Sequence, residues 1–149
     1  MTPERDRVLV DVGEFVDAPV RLLEQAVLCT LRAQDRPGLE LSLALLADED
    51  IRDLNRRYLG KDAPTDVIAF ALGEGEELVG DVYIGVEQAR RQAEELAMPL
   101  PEELARLAIH GTLHVLGHDH PEGDERERSP MFVLQERLLR DLLATTTQS

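Results

Sequence analysis

Residues 65–86, TDVIAFALGEGEELVGDVYIGV, decide the fold of this chain because they predict an antiparallel pair of strands. The two apolar runs within this stretch, TDVIAFAL (65–72) and ELVGDVYIGV (77–86), have the composition of strands. Residues 73–77 between them are polar and glycine-containing, which suits a hairpin-like connection. The stretch therefore predicts two neighbouring strands of one sheet.

Strand and helix patterns alternate on the amino-terminal side of this pair, and helical patterns fill the carboxyl-terminal side. The upstream patterns are RVLVDV (7–12), VRLLEQAVLCTLRA (20–33), LELSLALLA (39–47) and DEDIRDLNRRYLG (48–60). The downstream patterns are EQARRQAEELA (87–97), LPEELARLAIHGTLHVLG (100–117) and PMFVLQERLLRDLLA (130–144). We predict a single α+β domain over residues 1–144, in which about five helices cover a mixed four-stranded sheet. The polar residues 145–149, TTTQS, are expected to form a disordered tail.

Composition narrows the classes of function. The chain has 30 acidic and 16 basic residues and a formal net charge of −14, so its average surface repels polyanions. Cys29 is the only cysteine, which excludes an intrachain disulfide. No signal peptide pattern and no apolar run long enough to span a membrane occur, so a cytoplasmic protein without membrane contact is expected.

All four histidines lie in one segment, HGTLHVLGHDH (110–120). His110 and His114 are four residues apart in a helical pattern, so their imidazoles project from one face and can bind one ion together. Gly117 is able to adopt the left-handed conformation that ends a helix, and the turn allows His120 to fold back towards the same ion. The spacing predicts a metal site at the end of a helix.

Three neutral imidazoles hold Zn²⁺ with one coordination position open, which is typical of catalytic zinc. We therefore expect one zinc ion per chain, bound by His110, His114 and His120. Water in the open position, with its pKa lowered to roughly 7, is the expected catalytic group of a hydrolase. His118 is expected to face solvent or the substrate cleft rather than bind the metal.

The same histidine spacing occurs in metzincin proteases, where a glutamate directly after the first histidine is the general base. This chain has Gly111 at that position. A protease therefore requires another carboxylate in that role, and the glycine argues against peptide hydrolysis.

The segment HGTLHVLGHDH resembles the signature of the YbeY family of bacterial endoribonucleases, which process ribosomal RNA. Two further blocks, LNRRYLGKDAPTDVIAF (54–70) and GDVYIGVEQARRQAEE (80–95), resemble conserved blocks of that family in the same order. The resemblance implies a zinc-dependent nuclease for single-stranded RNA that acts in maturation of the 3′ end of 16S rRNA and in ribosome quality control. Ribosomal RNA, the small ribosomal subunit and ribosome-assembly proteins are the implied partners.

The chain departs from the family pattern at two positions. Leu59 stands where many members have an arginine associated with activity, so Arg56, Arg57 or Lys61 are the candidates to supply positive charge to RNA. The competing interpretation of these three residues is a solvated helix end. His118 stands where the family usually has tyrosine, and either ring can stack or donate a hydrogen bond.

Two aspartates are candidate catalytic residues. Asp119 directly precedes His120 and can orient an imidazole or accept a proton, although loop capping explains it equally well. Asp66 opens a predicted strand and can accept a hydrogen bond from the ring nitrogen of a metal-binding histidine that faces away from the metal. The simpler explanation is that its side chain caps backbone groups of a turn. Two alternatives to the nuclease remain open: a zinc peptidase or other metal-dependent hydrolase, and a ribosome-assembly factor with a structural metal and little activity.

Overall fold

Strands and helices follow the predicted order in the computed structural model of this protein, which describes residues 7–36, 38–119 and 129–147. The strands are β1 (Arg7–Asp11), β2 (Glu40–Leu46), β3 (Val67–Leu72) and β4 (Val79–Gly85). The helices are α1 (Val20–Ala33), α2 (Asp48–Leu59), α3 (Val86–Glu95), α4 (Leu100–Val115) and α5 (Pro130–Thr147). The prediction of an α+β domain with a four-stranded sheet and five helices is confirmed.

The four strands form one mixed sheet in the order β1-β2-β4-β3. β1, β2 and β4 run parallel, and β3 pairs antiparallel with β4 at the edge, as residues 65–86 predict. β4 therefore lies between β2 and β3, the two strands directly before it in the chain. In β2 the residues Leu41, Leu43 and Leu45 are buried and alternate with less buried ones, so one face of this strand carries the core.

Helix α4 is the central helix of the domain. Eleven of its residues are buried, and it packs against α1, α3, α5 and the β3–β4 pair. A helix that is apolar on most of its circumference is stable only when it is enclosed in this way. The predicted histidine segment begins in its last two turns, so the fold places that segment at the end of the most enclosed helix.

Element ends differ from the prediction by up to three residues, and two of these differences have a local cause. β3 begins at Val67 rather than at residue 65, because Asp66 Oδ1 accepts a hydrogen bond of 2.8 Å from the Val67 backbone and ends the preceding turn. Helix α5 continues to Thr147, three residues beyond the predicted end at residue 144, and the disorder expected of residues 145–149 stays a prediction. Extending an existing helix requires no new nucleus, and Thr145 Oγ1 donates to the Asp141 carbonyl one turn back. Residues 148 and 149 lie outside the described part of the chain.

None of the helices described is both long enough and apolar enough to cross a membrane.

Candidate metal centre

His110 and His114 lie side by side on α4, as their spacing predicts. Their ring centroids are 4.7 Å apart, with the ring planes inclined at 68°. The His110 side chain is buried at 6% exposure, whereas His114 is partly exposed. The pair therefore joins a ring anchored in the core to a ring at the surface, which is where a metal ion in contact with solvent would bind.

The end of α4 is built as Gly117 predicts. Gly117 has a φ of +97°, its backbone N–H donates to the His114 carbonyl, and the His118 N–H donates to the Leu113 carbonyl. These two bonds form a Schellman motif, which fixes the direction in which the chain leaves the helix. His120 lies outside the described residues, so its position relative to the pair stays a prediction. Within the described part of the chain, no three His, Cys, Asp or Glu side chains are grouped to hold a metal.

Gly111 lies on the side of α4 that faces the sheet, and it allows the helix to approach β3 and β4 closely. A Cβ at this position would lie 2.5 Å from Val82 Cγ1, 3.1 Å from Val82 Cγ2 and 3.2 Å from Val67 Cγ2. The glutamate that metzincins use as general base therefore has no room here. The absence of that base thus has a structural cause, since a side chain at position 111 would point into the core.

A row of hydrogen-bonded polar side chains, buried at Gln135 and partly exposed at Glu136 and Arg106, supports His110 from behind. His110 Nδ1 lies 2.6 Å from Gln135 Oε1, and Gln135 Nε2 donates to Glu136 Oε2 at 3.0 Å. Both oxygens of Glu136 accept hydrogen bonds of 3.0 Å from Arg106, which also donates to Glu103 at 2.8 Å. These hydrogen bonds link α4 to α5 and end at His110, a candidate metal ligand.

Sequence reasoning missed these supporting residues, although a signal was present. Gln135 falls on the same helical stripe of α5 as the buried residues Met131, Leu138 and Leu142, and it is itself only 4% exposed. A polar side chain that interrupts an apolar stripe needs a buried hydrogen-bond partner. The pattern shows that such a partner exists but does not show that it is His110.

Burial raises the pKa of the Glu103 carboxyl above its ordinary value. Hydrogen bonds from Gln92 and Arg106 oppose the effect of burial, and the nearby Asp66 carboxylate reinforces it. The Glu103 side chain is 2% exposed, and it is held between α3 and its own helix. Glu103 lies at the far end of this row of hydrogen bonds, two helical turns before His110. It therefore belongs to the residues that support His110 and not to the imidazole pair.

The two catalytic aspartate candidates are placed differently. Asp66 Oδ1 accepts hydrogen bonds from the Val67 backbone at 2.8 Å and from Thr65 Oγ1 at 3.4 Å, which are the bonds of a local cap. Asp119 is exposed and lies directly after the turn that ends α4. A catalytic role for either aspartate stays a prediction.

The sequence led us to expect that His118 faces solvent or the substrate cleft, and the structure shows a further contact. His118 is partly buried, and its Nε2 lies 2.6 Å from Gln34 Oε1 in the residue that caps the end of α1. The Schellman motif turns the chain back towards α1, which explains this contact. His118 therefore contacts the end of α1.

The three basic residues predicted to contact RNA, Arg56, Arg57 and Lys61, lie at or just after the exposed end of α2. Arg56 bonds Asp53 at 2.5 Å, and Arg57 lies 3.2 Å from the same carboxylate. Lys61 follows the left-handed Gly60 that ends the helix and is exposed. Exposed ion pairs of this kind are weak, so RNA phosphates are able to compete for the two arginines. RNA binding by these three residues stays a prediction.

The comparison with known proteins identifies the family. The sequence model described as Endoribonuclease YbeY matches residues 14–143. The Endoribonuclease YbeY of Persephonella marina is 39% identical over 154 aligned residues, which cover 97% of this chain and 99% of that protein. The Endoribonuclease YbeY of Bacillus subtilis is 42% identical, over 72% of this chain and 77% of its own length. The chain belongs to the YbeY family.

A solved structure supports the fold of this YbeY protein. The solution structure of TM1509 from Thermotoga maritima superimposes with a TM-score of 0.64 and 24% sequence identity, over 96% of this chain and 92% of that one. The resemblance inferred from the three sequence blocks is therefore confirmed. The family assignment also weighs against the peptidase alternative, in agreement with the glycine at position 111.

Proposed function

We propose that this YbeY protein is a zinc-dependent endoribonuclease specific for single-stranded RNA, which acts in the cytoplasm in 16S rRNA 3′-end maturation and ribosome quality control. Its relatives bear the name endoribonuclease, which supports the RNA substrate. The observation that carries the metal is the imidazole pair of His110 and His114, whose ring centroids are 4.7 Å apart. Ribosomal RNA and the small ribosomal subunit, together with ribosome-assembly proteins, are the proposed partners.

The donor set fits zinc. Imidazole nitrogen is a preferred ligand of this ion, and His110 is already oriented by its contact with Gln135. His110, His114 and His120 would hold the ion. When bound, zinc supplies Lewis-acid chemistry, because it lowers the pKa of a coordinated water to roughly 7 and polarises a phosphoryl oxygen.

The chain's own residues supply positioning and charge. The segment after α4 carries Asp119, which is exposed and adjacent to His120 and is the better placed of the two candidates to accept a proton. Arg56, Arg57 and Lys61 offer cations to the phosphates of a bound strand. Because cations that bind phosphates release counterions, RNA binding through these three residues should weaken as salt rises, and the more phosphates are contacted the steeper the loss.

Metal removal tests this proposal. We expect the protein to cleave a labelled single-stranded RNA when zinc is present, and to lose about a hundredfold or more in rate after treatment with a chelator. The expected size follows because Lewis-acid stabilisation is worth several kcal/mol, and about 1.4 kcal/mol corresponds to a tenfold change in rate. Cleavage is measured by gel electrophoresis, with the metal content of the same samples measured by mass spectrometry.

A double-stranded RNA of the same sequence and a fluorogenic peptide library are the substrate controls. Zinc added back after dialysis should restore cleavage of the single strand and leave the peptides intact. Peptide cleavage in preference to RNA would favour the peptidase alternative. RNA cleavage that persists in samples shown to contain no metal would overturn the zinc mechanism.

Leu59→Arg tests the second candidate, an assembly factor with a structural metal and little activity. Leu59 is 53% exposed at the end of α2, so an arginine there reaches solvent without repacking the core. We expect the variant to cleave single-stranded RNA about tenfold faster, since one hydrogen bond between a charged donor and a phosphate is worth about 1.5 kcal/mol. Initial rates at low salt, with zinc content measured in parallel, give the comparison.

Leu59→Gln is the matched control, because it is polar but uncharged and should leave the rate unchanged. Equal gains in both variants would show that charge at this position is not the cause. Stoichiometric zinc together with undetectable cleavage, even in Leu59→Arg, would favour the assembly factor.

A further inference from the structure

Two histidines of the described chain contact a glutamine side-chain oxygen, but through different ring nitrogens. Gln135 Oε1 lies 2.6 Å from Nδ1 of His110, whereas Gln34 Oε1 lies 2.6 Å from Nε2 of His118. An amide oxygen only accepts hydrogen bonds, so the facing nitrogen must carry the proton. In a neutral ring the lone pair then lies on the other nitrogen. The two contacts therefore select opposite tautomers.

The amide of Gln135 is held in the orientation that this argument needs. Its Nε2 donates to Glu136 Oε2 at 3.0 Å, so its oxygen faces His110. Turning the amide over would place its N–H₂ group against a histidine nitrogen and its oxygen against a carboxylate. In turn, Glu136 is fixed by two hydrogen bonds of 3.0 Å from Arg106, in a bidentate pair.

Burial makes this arrangement selective. His110 is 6% exposed and Gln135 is 4% exposed. A buried imidazole N–H or amide oxygen that lost its partner would not find water in its place, so the alternative tautomer is strongly disfavoured. The pairing is therefore a constraint on His110 that exists before any ion binds.

We infer that Gln135 is a positioning residue, which holds His110 as the Nδ1–H tautomer so that Nε2 is the nitrogen that binds the metal. Glu136 and Arg106 keep the Gln135 amide in the orientation that this requires. The inference rests on the proposed zinc site and extends it to residues on α5. Histidine ligands generally donate their second ring N–H to an oxygen, and loss of that oxygen typically weakens metal binding about 10- to 100-fold.

The metal-free wild-type protein gives the first test. Two-bond ¹⁵N–¹H correlation spectra, recorded at about pH 8 where an ordinary histidine is neutral, report which ring nitrogen carries the proton. We expect the Nδ1–H tautomer for His110 and the Nε2–H tautomer for His118. An Nε2–H ring at His110 in wild type would overturn the inference without any variant.

Gln135→Met and Gln135→Glu form the second test. Methionine fills similar space but offers no strong acceptor, so His110 should lose its tautomer preference and zinc affinity should fall about 10- to 100-fold. Glutamate keeps an oxygen for Nδ1–H, and beside the Glu136 carboxylate its buried carboxyl group should stay protonated and donate to Glu136 as the amide does. Gln135→Glu should therefore retain both the tautomer preference and the zinc affinity. Zinc affinity is measured on the purified protein by competition with a chromophoric chelator, and near-native circular dichroism qualifies each variant.

Gln34→Met is the matched control, since it removes the same kind of contact from His118. It should change the His118 spectrum and leave zinc affinity within about twofold of wild type. Equal losses of affinity in the two methionine variants, or in Gln135→Glu and Gln135→Met, would contradict a specific role for the Gln135 oxygen.

Failure of the proposed zinc site remains distinguishable from failure of this inference. If wild type binds no zinc but His110 is the Nδ1–H tautomer and Gln135→Met changes it, the positioning contact stands and the metal assignment falls. If zinc binds and the tautomer is the opposite one, the metal stands and the role of Gln135 falls.

Discussion

His114→Ala is expected to abolish near-stoichiometric zinc binding and to reduce RNA cleavage about a thousandfold or more. His114 is the more exposed member of the imidazole pair, and removing it leaves His110 with no second ligand on α4. A site that loses one of three ligands loses most of its affinity for the metal. Loss of the ion then removes several kcal/mol of transition-state charge stabilisation. Metal analysis and single-turnover cleavage of labelled RNA measure the two losses.

His118→Ala is the control for this experiment. It removes a histidine from the same segment, but one whose Nε2 contacts Gln34 rather than the imidazole pair. His118→Ala should bind as much zinc as the wild-type protein. Unchanged zinc in His114→Ala, or equal losses in the two variants, would show that the histidine pair has been assigned the wrong role.

Gly111→Ala is expected to destabilise the protein by about 1–2 kcal/mol, and Gly111→Glu to prevent folding. A Cβ would lie 2.5 Å and 3.1 Å from the two methyl carbons of Val82, a stiff side chain that is only 1% exposed. Overpacking costs about 1–3 kcal/mol, from which the higher helix propensity of alanine recovers at most about 1 kcal/mol. Glutamate adds the cost of a buried charge without a partner. Urea unfolding followed by circular dichroism measures the change.

Val82→Ala provides the internal control. Alone it should destabilise by the cost of a cavity, but in combination with Gly111→Ala it removes the methyl carbons that cause the clash. The double variant should therefore be more stable than the sum of the two single effects predicts, with an interaction energy of about 0.5–2 kcal/mol. Strict additivity would mean that Val82 is not what position 111 contacts.

Hydrophobic periodicity predicts most of this fold, because each element of this chain carries its own pattern. The alternation in β2 and the nearly continuous apolar surface of α4 both correspond to burial in the structure. The sequence does not predict that β4 inserts between β2 and β3, since strand order depends on contacts between residues far apart in the chain. The β3–β4 pairing is the exception, because a short polar connection makes it local.

The candidate site, like the fold, has local features that the sequence predicts and long-range contacts that it does not. The relation of His110 to His114, and the turn at Gly117, follow from local helix geometry and are predictable. The contact of His110 with Gln135 joins positions 25 residues apart and depends on how α5 packs against α4. Sequence reasoning also overlooked Asp53, whose spacing of three and four residues from Arg56 and Arg57 is that of helical ion pairs.

The enclosure of α4 would also tie occupancy of the proposed metal site to the stability of the whole domain. Because this helix packs against three other helices and two strands, its amide hydrogens should exchange with solvent only through global unfolding. An ion that binds the folded arrangement of His110 and His114 but not the unfolded chain stabilises every element, by about 2.7 kcal/mol at a hundred times its Kd. Zinc starvation would then reduce the lifetime of the protein against proteolysis as well as its activity.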